Sequence, residues 1–253
     1  MYATERHQYI VSAARRVGRV DVAALAEALG VTAETVRRDL TLLERRGTLH
    51  RVHGGAIPVE RIEAEPALAT RATRKAAEKR RIAARALDEL TLGSSVLLDS
   101  GSTTHAIARL FPATGDFTVV TNSLDNAGIL AARTNVDVLL IGGHLRNTTG
   151  ATVGDWATEA LAGVTVEVAF LGTNGLTTRG GLTTPNQAEA AVKRAMVKAA
   201  RRVVLVTDAS KVGVDHLHRF ADLDVVDLIL TDTSLDADLA AEIEAQGPEV
   251  VRT

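Results

Sequence analysis

Five short polar segments after residue 98 contain hydroxyl, carboxylate, carboxamide and ammonium groups that could bind a polar ligand. Hydroxyls and free backbone N–H groups at the start of a helix bind phosphate, and a lysine adds a compact positive charge. Carboxylates and carboxamides can hold sugar hydroxyls. The candidate ligand-binding residues are Asp99, Ser100, Gly101, Ser102, Thr103, Thr104, Thr121, Asn122, Ser123, Gly142, Gly143, Gly172, Asn174, Gly175 and Lys211.

Each segment alone could be an ordinary turn or helix cap. Their positions favour a binding site, because each follows an apolar run, at 96–98, 117–120, 136–141, 168–171 and 203–206. Such runs, with a sixth at 228–230, predict strands buried on both faces.

Helical stretches at 105–111, 124–132, 188–200 and 235–246 separate or follow these runs. The alternation predicts a doubly wound α/β sheet, in which ligands bind beyond the carboxyl ends of the strands. The five polar segments should therefore lie near one another at that edge.

Several cofactors and site classes have no support in the sequence. The loop after 96–98 has neither the Gly-Lys-Ser/Thr of a Walker A loop nor the GxGxxG spacing, so we expect neither ATP nor NAD. The absence of cysteine excludes disulfides, thiolate zinc sites and cysteine nucleophiles. No pair of acidic residues accompanies His144, His216 and His218 at a spacing typical of a metal site, so we expect no bound metal. We expect no cofactor either.

The first 57 residues predict three helices. Asp21 is placed to cap the second helix, Gly30 to end it in a left-handed turn, and Thr32 to cap the third. Their inward faces are apolar residues at helical spacing, namely Ile10, Ala13, Ala14 and Val17, then Val22, Leu25, Ala26 and Leu29, then Val36, Leu40 and Leu43.

The second and third helices, with the short turn between them, form a predicted helix-turn-helix, which lays its second helix in the DNA major groove. An arginine pair on a helix can be a merely solvated face. Here Arg37 and Arg38 follow a capped turn and lie opposite an apolar stripe, which favours DNA contact. Thr32 and Thr35 are the other candidates on this helix.

A β-type run at 47–57 follows and ends in paired glycines, which predicts a wing. Arg51 and His53 are its candidate DNA contacts, although His53 could also occupy the turn without contacting DNA. Residues 1–57 carry nine arginines against six acidic residues, whereas the whole chain has a net charge of -2.

The length of 253 residues predicts one large domain or two unequal ones. The charged stretch from Pro58 to Pro66 marks a boundary. We predict a winged helix-turn-helix domain at 1–57, a linker at 58–75 and an α/β effector-sensing domain at 76–253. No apolar run approaches the roughly 18 residues of a membrane span and no signal peptide is recognisable, so we expect a cytoplasmic protein without a membrane partner.

The chain resembles the DeoR family of bacterial transcriptional regulators. The resemblance lies in TVRRDL (35–40), HGGA (53–56), LDSGSTT (98–104), FLGTNGL (170–176), GLTTPNQAEAAVKRAM (181–196) and DASK (208–211). It implies that Thr35, Arg37 and Arg38 approach the operator while Arg51 and His53 serve the wing.

The family's sensor domain is similar in fold to ribose-5-phosphate isomerase and glucosamine-6-phosphate deaminase, which implies a phosphorylated sugar as effector. Repression of carbohydrate genes is likewise a family expectation. The expected partners are double-stranded operator DNA and a phosphorylated sugar, and a homo-oligomer is expected because paired half-sites need two recognition helices.

The alternative is a sugar-phosphate isomerase or deaminase with an N-terminal DNA-binding appendage. Proton transfer next to a carbonyl needs a carboxylate base, and the segment 172–175 contains none. Glu189 remains a possible base, but a glutamate four residues before Lys193 is more typical of a pair on a helix face. We therefore expect a regulator without catalytic residues.

Overall fold

A computed structural model describes residues 3–17, 19–45, 48–52, 54–58 and 66–253. The chain divides into two compact units, Met1–Glu65 and Pro66–Thr253. The predicted linker, 58–75, includes this division, and its later part contains the short helix Leu68–Thr73 of the second unit. The exact bounds of the linker stay a prediction.

The first unit combines helices with a small antiparallel sheet of strand order β1-β3-β2. The predicted helix ends are confirmed: the Asp21 carboxylate caps α2, Gly30 ends it with φ 61°, and the Thr32 hydroxyl caps α3. The elements are α1 (Ala3–Val17), β1 (Val20–Asp21), α2 (Val22–Leu29), α3 (Ala33–Arg45), β2 (Leu49–Val52) and β3 (Gly55–Pro58).

The predicted apolar stripes of the helices meet in one core, and the wing closes against it. A Cβ on Gly55 would lie 1.9 Å from the carbonyl oxygen of Val20, so β3 can approach β1 only with glycine at this position. The buried residues of this core are Ile10, Ala14, Val20, Leu25, Leu29, Val36, Leu40, Leu43, Leu49 and Ala56.

The second unit is built on a seven-stranded sheet of order β15-β14-β12-β9-β4-β5-β6, in which every neighbouring pair is parallel. Its helices are α4 (Leu68–Thr73), α5 (Ala76–Ala86), α6 (Ser102–Leu110), α7 (Leu124–Ala131), α8 (Asp155–Ala162), α9 (Gln187–Ala199) and α10 (Ala237–Glu244). Its strands are β4 (Ser95–Leu98), β5 (Phe117–Thr121), β6 (Val136–Leu140), β7 (His144–Arg146), β8 (Ala151–Val153), β9 (Val166–Leu171), β10 (Gly175–Thr177), β11 (Gly181–Thr184), β12 (Ala200–Val206), β13 (His218–Ala221), β14 (Leu228–Thr231) and β15 (Glu249–Arg252).

Alternate residues of the parallel strands face two separate cores, which confirms the predicted doubly wound architecture. Val96 and Leu98 pack among residues of α5, α6 and α7, whereas Leu97 packs on the other face with residues of α8 and α9. Each of the six predicted apolar runs falls on a strand of this sheet. Burial on both faces explains why these strands are continuously apolar.

The strand order reverses between β4 and β9, because the chain first builds outward through β5 and β6 and later returns to the other side of β4. Such a switch point leaves a crevice beyond the carboxyl ends of the two strands. The sequence did not predict the hairpin of β7 and β8, which lies against the end of β5 through the bond from Thr152 N to Asn122 O at 2.8 Å. In the ranges described above, no helix has the length and apolar character needed to cross a bilayer.

Candidate functional site

The recognition helix α3 presents two arginines to solvent. The side chains of Arg37 and Arg38 are 54% and 82% exposed. Their nitrogens lie 3.5 and 3.6 Å from the Glu34 carboxylate, and ion pairs this long between exposed groups contribute little. Both guanidinium groups therefore remain available to phosphates or base edges.

The wing is attached to the same helix through Arg51. Its backbone N–H donates to Glu44 Oε1 at 2.9 Å, and its Nη1 donates to Thr41 Oγ1 at 3.1 Å. Thr32 is exposed and Thr35 half-buried, with their hydroxyl oxygens 2.9 Å apart. His53, the other predicted wing contact, lies outside the described residues.

Arg37, Arg38 and Arg51 line one open groove of about 630 Å³ on this face. The structure therefore brings together the predicted arginines of the helix and of the wing. The other residues around the groove are His7, Glu34, Asp39, Thr41 and Leu42.

Asp39, which the sequence analysis did not single out, anchors the recognition helix to α1. It is buried and accepts from Arg6 Nε at 2.5 Å, while His7 Nε2 lies 2.8 Å from its other oxygen. Burial opposes ionisation of this carboxyl, but the bonds from Arg6 and His7 outweigh that and hold its pKa below the usual range. Asp39 lies three residues after Val36, on the inward face of α3, and this spacing could have identified it as a buried residue.

In the second unit, Asp99 lies at the sheet's switch point and is 1% exposed. One carboxylate oxygen accepts from Ser100 N at 2.8 Å and the other from Gly172 N at 3.0 Å. The ammonium of Lys193 forms an ion pair with the second oxygen and also donates to Gly172 O at 2.9 Å. Asp99 therefore joins the ends of β4 and β9 to α9, and both of its oxygens are used inside the protein.

The end of β5 is similarly committed to internal bonds. Asn122 Oδ1 accepts from Ser100 N at 3.1 Å, and its Nδ2 donates to Thr152 O at 3.2 Å. Thr121 Oγ1 donates to Leu98 O at 2.6 Å, and the Ser123 hydroxyl caps α7. These side chains hold the loop after β4 in place.

The predicted ligand-binding residues thus divide into two groups. Seven are buried, namely Asp99, Thr103, Thr104, Thr121, Asn122, Ser123 and Gly175. Eight are at least partly exposed, namely Ser100, Gly101, Ser102, Gly142, Gly143, Gly172, Asn174 and Lys211. The second group contains the residues that solvent reaches at this edge of the sheet.

The predicted pairing of Glu189 with Lys193 is wrong. Both side chains are buried on the inward face of α9, and Lys193 pairs with Asp99 instead. Glu189 forms an ion pair with Arg146 and accepts from Thr149 Oγ1 at 2.8 Å. Counting back three, four and seven residues from the apolar Met196 places 193, 192 and 189 on one face, a pattern that could have identified them.

A winged helix-turn-helix with exposed arginines, on the same chain as an α/β unit with polar residues at the carboxyl ends of its strands, is typical of a DNA-binding regulator with a sensor domain. Residues 6–61 match the model of the DeoR-like helix-turn-helix domain, and residues 74–233 match that of the DeoR C-terminal sensor domain. The chain belongs to the DeoR family of transcriptional regulators.

Similar proteins include the HTH-type transcriptional regulator GlpR of Haloferax volcanii, which is 42% identical over 99% of this chain and 98% of its own length. The glycerol-3-phosphate regulon repressor of Escherichia coli strain K12 is 30% identical over 92% of each chain. The L-fucose operon activator of Haemophilus influenzae is 32% identical over 92% of this chain and 94% of its own.

Among solved structures, ribose 5-phosphate isomerase A from Neisseria gonorrhoeae is 17% identical, with a TM-score of 0.40 over 55% of this chain and 54% of its own. A likeness this weak carries no argument about function. The chain is a regulator, as the sequence analysis expected, and the relatives named above are regulators too.

Removing the partner of Asp99 should destabilise the second unit. Lys193→Met leaves a buried carboxylate without its counter-charge, and we expect the free energy of unfolding to fall by about 3 to 5 kcal/mol in urea titrations. Adding Asp99→Asn should recover part of this loss, because the unpaired charge is gone. Lys198→Met, on an exposed position of the same helix, is the matched control. A loss below about 1 kcal/mol for Lys193→Met would contradict the assigned role of the pair.

Proposed function

We propose that the protein is a homo-oligomeric repressor of carbohydrate-metabolism genes, and that a phosphorylated sugar in the crevice changes its affinity for operator DNA. It works in the cytoplasm. The operator is contacted by six residues of the DNA-binding unit, namely Thr32, Thr35, Arg37, Arg38, Arg51 and His53. The partly exposed residues of the crevice contact the effector, and the buried ones position them.

The placement of Ser100, Ser102 and Lys211 at the carboxyl edge of one parallel sheet supports the effector proposal most directly. Ser100 and Ser102 are half-exposed, and the backbone N–H groups that follow them open α6. The positive end of that helix and its hydroxyls favour an anion. Asn174, also half-buried, follows β9 and carries a carboxamide of the kind that binds sugar hydroxyls.

The names of relatives support the carbohydrate part, since one is a glycerol-3-phosphate regulon repressor and another an L-fucose operon activator. Repressors and activators therefore both occur among similar chains. The same thermodynamic argument applies to a repressor and to an activator, because an effector changes DNA affinity only by its differential affinity for the two conformations.

Arg38→Ala should weaken operator binding by about 1 to 3 kcal/mol if the side chain reads a base. A titration of operator DNA selected from random sequence by the unmodified protein measures this, with thermal stability checked in parallel. Arg179→Ala, which removes an exposed arginine of the second unit, is the matched control and should change nothing. Unchanged affinity in Arg38→Ala would remove this residue from the DNA contacts.

Thermal unfolding against a panel of phosphorylated sugars, each beside its unphosphorylated parent, tests the effector. Saturation at 100 times Kd adds about 2.7 kcal/mol of stability and raises the unfolding midpoint by roughly 5 to 10 °C. We expect a shift with one sugar phosphate but not with its parent, and a smaller shift in Lys211→Ala. An unchanged unfolding midpoint of the unmodified protein with every member of the panel would contradict the sugar-phosphate proposal.

The edge strand β6 supports assembly with a second copy. Among the strands that the structure describes, it pairs only with β5, and Leu139 and Leu140 on it are each 47% exposed. Leu145 and Trp156, on the hairpin and helix that follow, are exposed too, Trp156 by 77%. An open apolar edge is a template for another strand, and antiparallel pairing of two such edges about a two-fold axis gives the symmetric dimer that paired half-sites need.

Leu140→Lys should shift the protein toward monomer in sedimentation experiments and weaken binding to DNA with two half-sites. A lysine at this edge opposes pairing by charge repulsion and desolvation. Leu217→Lys changes a leucine that is 83% exposed but lies outside this edge, and it should leave the oligomer intact. If both variants associate alike, the dimer is formed elsewhere.

A further inference from the structure

Two neighbouring strands of the sheet, β12 and β14, end in the same local pattern. Thr207-Asp208-Ala209-Ser210 follows the first and Thr231-Asp232-Thr233-Ser234 completes the second. In each case the aspartate is buried and binds the hydroxyl and the backbone N–H of the serine two residues later. The two carboxylates are therefore held side by side at the edge that carries the crevice.

Two lysines on α5 and at its start face these carboxylates. Lys75 Nζ lies 3.7 Å from Asp232, and Lys79 Nζ, one helical turn later, lies 3.8 Å from Asp208. The two pairs differ in what else the ammonium touches. The Lys75 side chain is 33% exposed and donates to Ser234 Oγ at 3.3 Å, whereas Lys79 is buried.

The Lys79 ammonium also holds the end of α4. It donates to Arg71 O at 2.6 Å and to Arg74 O at 2.7 Å, in addition to its ion pair with Asp208. A positive charge at the end of a helix satisfies its last carbonyls. A helix of six residues has little stability of its own, so α4 depends on such contacts.

Helix α4 occupies a distinctive place in the chain. It begins three residues after Glu65, where the DNA-binding unit ends, and it packs against α6, whose first turn carries Ser102. Through Lys79 it is also tied to the loop that carries Lys211. Burial lowers the pKa of Lys79, Asp208 opposes that change, and the positive charges of Lys211 and Arg71 add to it.

We propose that Lys79 is the positioning residue that couples the effector crevice to the segment leading to the DNA-binding unit. An anion bound at Lys211 changes the energy of the Lys79–Asp208 pair. The same ammonium binds Asp208 and the carbonyls of α4. When the ammonium moves with Asp208, those carbonyls either move with it or lose their bonds, so an effector in the crevice shifts α4. This inference rests on the proposed function, because it takes an anionic effector at Lys211.

The test separates ligand binding from its effect on DNA binding, in the full-length protein. The probe is glycerol 3-phosphate, or the panel member that stabilises the unmodified protein, and the operator is the selected DNA described above. Lys79→Met should keep the ligand's dissociation constant within about threefold of the original, yet reduce the ligand-induced change in operator affinity from at least about fivefold to less than about twofold. Lys75→Met is the matched control, since it removes the neighbouring pair without touching α4, and it should respond like the unmodified protein.

If Lys79→Met does not fold, Asp208→Asn is the second variant, because it removes the charge from the pair and leaves the bonds to α4. The same loss of response is expected. A normal response in Lys79→Met, or in Asp208→Asn where the first is unfolded, would overturn the coupling role alone, and so would an equal loss in Lys75→Met. Failure of the unmodified protein to respond to any sugar phosphate would overturn the proposed function and this inference with it.

Discussion

The architecture of the second unit depends on a buried charge at its switch point. Asp99 directly follows β4, beside β9, and a carboxylate without water is tolerated only if each oxygen is bonded. Two backbone N–H groups and the ammonium of Lys193 meet that requirement. The same three bonds fix the loop that opens α6, the end of β9 and the orientation of α9, which are the surroundings of the crevice.

The DNA-binding unit repeats this arrangement on a smaller scale. Asp39 is buried against Arg6 and His7, which ties α3 to α1. Asp39 shares the inward face of α3 with Val36 and Leu40, which are also buried. Arg37 and Arg38 lie off that face and are exposed, so the short run from 35 to 40 contains both an anchor and an exposed basic surface.

Much of this fold follows from the sequence because its main elements leave strong patterns. Strands buried on both faces give continuous apolar runs, and the caps at Asp21, Gly30 and Thr32 delimit the second and third helices. The three-residue strands β7, β8 and β10 leave no such pattern, since they are too short to show a run or an alternation. At the candidate site, the residue types and their place at the carboxyl edge of the sheet were predictable. Which side chains turn inward was not, because the partners of Asp99 and Glu189 lie 94 and 43 residues away in the chain.

The division of the crevice into a bonded frame and a reachable lining has a consequence for specificity. Replacing Asp99 or Asn122 breaks several internal bonds at once, and leaving a buried polar group unpaired costs about 1 to 3 kcal/mol, so such a change damages the fold before it alters recognition. In the proposed function the half-exposed hydroxyls of Ser100 and Ser102 meet the effector, and replacing them changes the lining while the bonds of Asp99 and Asn122 remain. In the proposed function, a scaffold of this kind changes its ligand through substitutions in the lining while the bonded frame stays the same.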